Sequence, residues 1–283
     1  MLEAPGARSK SITNDSAGML RTAVLGAIKK VALGTAGIAL IALLWSFIAA
    51  GTISALVPGP IEVVRSIGDN FFDIPELRYI YYSSGGLLEN LVYTVQNVIT
   101  SVMLGTVGGM VFGIALARSR ILKLCIEPPL LVMGTFPVVM LLPFFTMWFG
   151  TDRIAQYGLV LFYTFITVTL VARQATLNVA GYYEDFASSL GASRSFFRTH
   201  VLLPAIVPET IGAVRISLAA GWGFETVAEI LGAPLGAGRL IQVFSVAIMT
   251  IDIFGVLLCI GIIAIVTDAL VAAGGRWIVR WKD

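Results

Sequence analysis

Chemistry in this sequence would have to come from few side chains. The 283 residues include one histidine, His200, and two cysteines, Cys125 and Cys259. A single histidine excludes multi-histidine metal sites such as HExxH. Two cysteines standing alone within apolar runs form neither a disulfide framework nor a CxxC metal or redox site. A Ser/His/Asp arrangement could pass only through His200, which stands beside Arg198 in a basic stretch and reads as a solvated surface residue. The segment GAPLGAGR (232–239) is glycine-rich but lacks the GxxxxGK[ST] spacing that sets a lysine against terminal phosphates. The chain is therefore expected to be non-catalytic, with no metal or cofactor of its own.

The other ionisable candidates lie in apolar surroundings. Glu225 and Glu229 are one helical turn apart in AGWGFETVAEILGAP, with Arg215 further along the same segment. Charged groups at membrane depth are costly and face a bundle interior, a partner charge or water. These two carboxyl groups either touch a solute, anchor the fold from a buried position or stand at the interface just outside the hydrocarbon, and for Glu229 the structural reading is preferred. Asp268 is expected to pair with basic residues such as Arg276.

The elements that must position these residues follow from composition. Hydrophobic residues make up 57% of the chain, charged residues 13%, and the mean hydropathy is +0.89, well beyond a soluble domain. A bilayer core of about 30 Å takes about 20 apolar residues as helix. Six runs qualify, at 31–52, 91–117, 124–149, 155–172, 205–231 and 250–273. None shows the alternation of a barrel strand, so the fold class is an all-α membrane bundle of six transmembrane helices. No nucleic-acid partner is expected.

Basic residues orient the bundle. Lys10, Arg21, Lys29 and Lys30 precede the first run; Arg118, Arg120 and Lys123 follow the second; Arg173, Arg194 and Arg198 follow the fourth; Arg276, Arg280 and Lys282 close the chain. The opposite connections are poorer in them, so both termini are predicted cytoplasmic. Residues 31–52 are too long for the apolar core of a signal peptide and read as a retained span. The expected domains are a partly disordered lead over 1–30, a transmembrane domain over 31–273 and a cytoplasmic tail over 274–283.

Within the spans, Gly105, Gly109 and Gly113 make a bare stripe for close helix approach. Pro128, Pro129, Pro137 and Pro143 should break up the third span, as in a helix lining a pathway or in an ordinary kinked structural helix. Met133, Phe136, Met140 and Trp222, which flank these kinks or glycines, join Glu225 and Glu229 as candidate pathway residues.

One polar interlude remains, a loop over 181–204 containing SSLGASRSFFRTHVLLPAIVP. Tyr183 to Leu190 reads as a short helix, Gly191 as a turn, and Ser193 as the cap of a second helix over 194–202. Pro204 suits the first turn of the fifth span. Phe186, Leu190, Phe196, Phe197 and Val201 exceed what so small a loop can bury, so the loop is suited to docking into a groove on a soluble partner.

These residues carry a family resemblance. DFASSLGASRSFFRTHVLLPAIVP resembles the cytoplasmic "EAA" signature of bacterial ABC importer permeases. Gly191 and Pro204 match its spacing, Ala187 its second alanine, Asp185 stands at its glutamate, and Phe186 replaces its first alanine. LVPGPIEVV (56–64), FPVVMLLPFFTMWFG (136–150) and VAEILGAPLGAGRLI (227–241) are similar to elements of the subgroup that imports nitrate, bicarbonate, taurine, alkanesulfonates and related small anions.

The resemblance implies a type I importer permease fold in the bacterial cytoplasmic (inner) membrane, normally as two identical copies. It also implies two ATPase subunits supplying ATP and Mg, and an extracytoplasmic binding protein delivering solute. Asp185, Ala187, Leu190, Gly191, Ala192, Phe196, Phe197 and Pro204 would form the ATPase-coupling surface. The rival reading is a secondary transporter driven by an ion gradient, which leaves the loop unexplained.

Overall fold

The computed structural model describes residues 26, 29, 32–52, 56–75, 77, 85–151 and 153–280. Nearly all of the expected lead over 1–30, part of the tyrosine-rich segment over 71–86 and the last three residues of the tail lie outside these. The described residues are helical, with no strand among them. The helices are α1 (Ala32–Gly51), α2 (Pro60–Asp69), α3 (Leu87–Arg118), α4 (Arg120–Thr135), α5 (Leu142–Phe149), α6 (Arg153–Ser189), α7 (Arg194–Phe197), α8 (Leu203–Ile230), α9 (Ala237–Val246) and α10 (Thr250–Ile278). A 3-10 turn, Val138–Leu141, precedes α5, and a π turn, Arg198–Leu202, joins α7 to α8.

Contacts divide the chain after Glu62 into two units. In the first, the Trp45 indole N–H donates to the Pro58 carbonyl at 3.0 Å, closing the turn that follows α1. In the second, α3, α6 and α8 form the centre, and α9 packs against α8 and α10. Val98 and Val102 of α3 meet Val160 of α6 and Leu218 and Trp222 of α8 in one apolar cluster.

Among the described residues, five helical stretches are long and apolar enough to cross a membrane: α1, α3, Arg153–Val179 within α6, Arg194–Ile230 and α10. The expected third span is not one continuous helix but two pieces, α4 and Val138–Phe149, meeting at 102°. Of its four prolines, Pro128 and Pro129 lie inside α4 and Pro143 occupies the first turn of α5, where the missing N–H costs nothing. The break falls at Pro137. Its ring forces Phe136 to φ −75°, ψ 135°, an extended conformation no helix continues through.

Glycine brings α3 onto α6. A Cβ at Gly105 would lie 2.7 Å from Thr164 Cβ, one at Gly109 2.9 Å from the Phe165 carbonyl, and one at Gly113 2.6 Å from the Thr169 carbonyl. Two of these clashes are with backbone, so the helices must separate to admit a side chain.

Ion pairs hold the periphery. Arg173 of α6 reaches Glu127 of α4 at 2.5 Å. Asp268, expected beside Arg276, instead accepts two 2.7 Å bonds from Arg215 of α8. Arg276 stands two helical turns away on the same helix, about 12 Å along the axis, whereas Arg215 faces Asp268 across the α8–α10 contact.

Gly109→Ala should destabilise the detergent-solubilised chain by about 1–3 kcal/mol through overpacking at α3–α6. Gly212→Ala, where nothing lies within 4 Å, should leave the melting temperature unchanged or slightly raised. Thermal unfolding of the two variants checks the pair.

Candidate functional site

The polar loop is a continuation of two spans. The fourth span, expected over 155–172, runs on as α6 to Ser189 without a break. It ends because Gly191 takes φ +79°, a left-handed conformation that a residue with a Cβ rarely adopts. The Ala192 N–H then donates to the Ala187 carbonyl and the Gly191 N–H to the Ser188 carbonyl, both at 3.0 Å. This is the Schellman arrangement, with Ala187 and Ala192 at the positions whose side chains approach each other. The spacing Ala187, Gly191, Ala192 is thus the spacing of a helix stop.

The chain restarts at Ser193, whose hydroxyl accepts from the Phe196 N–H at 3.2 Å as the α7 cap. The π turn carries α7 directly into α8, with Pro204 in the first turn. A wider turn gives the Pro204 ring room against the His200 carbonyl, which an α-helix would press upon it. His200 itself stacks on Phe196 with ring centroids 4.4 Å apart, and its Nδ1 lies 2.7 Å from the Thr199 hydroxyl.

Between the end of α6 and α7 lies an open groove of about 720 Å³, lined by Tyr183, Phe186, Ala187, Leu190, Gly191 and Phe196, among others. Phe186, Leu190 and Phe196 are 59%, 72% and 51% exposed, and Asp185 is exposed beside them. Phe197, grouped with these in the sequence, turns the other way. It is buried against Ala175, Leu202 and Ile206, with the Arg118 guanidinium 5.8 Å from its ring centroid. Arg118 also donates to both carboxyl oxygens of Glu184, at 3.3 and 3.1 Å. That pair ties the loop to the end of α3, and sequence reading had named neither partner for it.

The six pathway candidates fall in two places. Met133, Phe136 and Met140 are exposed around the α4 break, whereas Trp222, Glu225 and Glu229 are buried within the chain. Glu229 serves a helix start. Gly236, at φ +120°, precedes α9, whose first N–H groups have no partner in their own helix. Those donors find acceptors on other helices. The Gly236 N–H donates to Asn90 Oδ1 at 2.9 Å, Ala237 N–H to the Thr94 hydroxyl at 2.9 Å, and Gly238 N–H to Glu229 Oε2 at 2.8 Å. The Thr94 hydroxyl in turn donates to Glu229 Oε1 at 2.8 Å.

One turn deeper, Asn97 donates to Glu225 Oε1 at 2.7 Å and to Gln156 Oε1 at 3.0 Å, and the Tyr93 hydroxyl donates to Gln156 at 3.2 Å. Asn90, Thr94 and Asn97 were absent from the sequence-derived candidates. Their i, i+4, i+7 spacing in ENLVYTVQN, polar residues on one face of an apolar span, was the available signal.

Glu229→Ala should cost about 1–3 kcal/mol, since it leaves the buried Gly238 N–H without its acceptor, while the Thr94 hydroxyl keeps the Asn90 carbonyl at 3.1 Å. Glu229→Gln, whose amide oxygen can still accept, should recover most of that. Unfolding in mixed detergent micelles measures both; equal losses in the two variants would contradict the acceptor role.

Residues 105–283 match the family described as binding-protein-dependent transport system inner membrane component. SsuC of Bacillus subtilis (strain 168), a permease assigned to aliphatic sulfonates transport, is 25% identical over 247 residues, 87% of this chain and 86% of SsuC. The taurine transport system permease TauC of Escherichia coli (strain K12) is 26% identical over 195 residues, 69% of this chain and 71% of TauC. The nitrate import permease NrtB of Synechococcus elongatus is 26% identical over 203 residues, 70% of this chain and 71% of NrtB. An inward-facing structure of the MetNI methionine ABC transporter superposes with a TM-score of 0.56 at 22% identity, over 69% of this chain and 95% of that one, so the two share a fold. The helical bundle therefore has the type I importer permease fold, and the chain belongs to the family of inner membrane components of binding-protein-dependent transport systems.

Proposed function

We propose that this chain is the translocating subunit of an ATP-driven importer for a small anion of the nitrate, bicarbonate, taurine and alkanesulfonate class. Two copies would enclose the path, two ATPase subunits would dock on the 181–204 loops, and an extracytoplasmic binding protein would deliver the solute. Both termini and the loop would face the cytoplasm, as the basic residues of the connections favour. The ion-gradient alternative has no observation in its favour.

The observation that carries this reading is the groove between α6 and α7, apolar and exposed on a loop whose backbone is internally capped. Phe186, Leu190 and Phe196 supply anchors of the kind that dominate interfaces, and Asp185 a rim charge. Phe197, the Arg118–Glu184 pair and Pro204 hold the loop to the bundle from behind and would act as struts. ATP and Mg would be bound by the partner, and this chain's part is mechanical. Because α6 and α8 run unbroken from the loop into the spans, a displacement of the docked loop would move both helices as rods. Opening of the path to one side or the other would then be a population shift between two packed arrangements. Met133, Phe136 and Met140, at the α4 break, are the pathway residues that this chain leaves uncovered.

The solute class follows from the sulfonate, taurine and nitrate transport assigned to the relatives. Cells expressing the complete import system should take up radiolabelled taurine, nitrate or an alkanesulfonate; uptake of none of these, with the system assembled, would refute the anion class.

Phe196→Ala removes an exposed anchor without touching the core, and should weaken ATPase capture about thirtyfold, the equivalent of ~2 kcal/mol at a hot spot. Gly191→Val, which forces a β-branched residue to φ +79°, should abolish it while the spans remain inserted. Affinity purification in mild detergent with quantification of the ATPase reads both, and undiminished capture in both variants would defeat the docking surface.

A further inference from the structure

Near the C-terminal end of α10, helices α8 and α10 leave a groove of about 290 Å³. Its walls are the apolar side chains of Pro208, Ile211, Ala272 and Val279. Its floor is Gly275, where a Cβ would come 2.9 Å from Ile211. Two guanidinium groups line the same space, Arg215 and Arg276. Arg215 commits its Nε and one terminal nitrogen to Asp268. Arg276 has no carboxyl partner among the described residues. Among the described residues the groove therefore carries one uncompensated positive charge.

Depth gives that charge a meaning. Arg276 and the exposed Trp277 follow directly on the apolar run over 250–273, where cations and indoles meet the headgroups. The Arg215–Asp268 pair lies about two turns deeper, yet its side chains are 46% and 38% exposed. A half-exposed ion pair at that level is costly against acyl chains and needs a polar cover. Water would cover the charges but would also wet the apolar walls.

We propose that this groove binds the phosphate of an anionic phospholipid from the leaflet on the side of the C terminus. Arg276 and the uncommitted edge of Arg215 hold the phosphate oxygens, in the bidentate manner guanidinium favours. The apolar walls receive the first carbons of an acyl chain. A free inorganic or organic anion satisfies the arginines equally but leaves those walls unoccupied, so the lipid is the better fit. The net positive charge selects an anionic over a zwitterionic headgroup.

The full-length chain is reconstituted in nanodiscs of phosphatidylcholine containing a minor fraction of phosphatidylglycerol, transferred to mild detergent, and its retained lipids are counted by native mass spectrometry. Phosphatidylglycerol should be retained about fivefold above its bulk fraction, the gain expected of one arginine near a membrane surface. R276Q should return the ratio to bulk, and R276K should keep most of the enrichment. Excess inorganic phosphate should leave the lipid in place. Retention at the bulk ratio in the wild-type chain, enrichment unchanged in R276Q, or displacement by inorganic phosphate would each overturn the proposal. The wild-type ratio and the phosphate arm decide it even if R276Q folds poorly.

Discussion

A backbone amide inside an apolar bundle has no water to bond, and most of the distinctive features of this chain answer that one constraint. Helix α9 begins within the protein, where its first N–H groups would be orphaned. Glu229 and the side chains of Asn90 and Thr94 stand where solvent would otherwise be. The break in the third span falls where the freed groups find local substitutes, Phe136 N–H on the Met133 carbonyl and Met140 N–H on the Pro137 carbonyl. The end of α6 uses the Schellman bonds for the same purpose. At these three places something inside the chain accepts or donates in place of water.

That internal accounting bears on mechanism. Helix α6, at 37 residues, is about 55 Å long, and α8 follows from α7 through a single widened turn. On the proposed reading, the surface that touches the ATPase and the helices that form the bundle are one pair of rods. Close packing of α3 on α6 through Gly105, Gly109 and Gly113 makes the second span part of the same rigid piece. The 102° bend between α4 and α5 is the contrasting element, with the exposed side chains of Met133, Phe136 and Met140 around it. On that same reading, a stiff lever beside a bent pair of helices divides the labour of alternating access, since rigid bodies need a discontinuity against which to move.

Much of this was legible in the residues. Length and apolarity of the runs specified the spans, because a helix must bridge a fixed hydrocarbon thickness. The glycine stripe announced a close helix contact, and its four-residue spacing placed that contact on one face of α3. Gly191 and Ser193 marked a stop and a start, since their local bonds depend on neighbours in sequence. Less legible was the behaviour of four prolines in one span: only Pro137 breaks it, because the surrounding helix absorbs Pro128 and Pro129 and Pro143 falls at a helix start.

What the sequence determined by itself is therefore the local and the periodic: the class of protein, the number of apolar runs, the capped loop and the faces of helices. What only the tertiary structure decided is which distant groups meet. Asp268 has Arg276 on its own helix but pairs with Arg215, because α8 presents that guanidinium across a contact that no spacing along α10 encodes. Phe197 resembles Phe196 in sequence but is turned inward, where Ala175, Leu202 and Ile206 pack around it. Glu229 anchors a helix nine residues downstream only in company with Thr94, 135 residues away on α3. Hydrogen bonds and ion pairs are satisfied by proximity, and proximity between helices is set by packing.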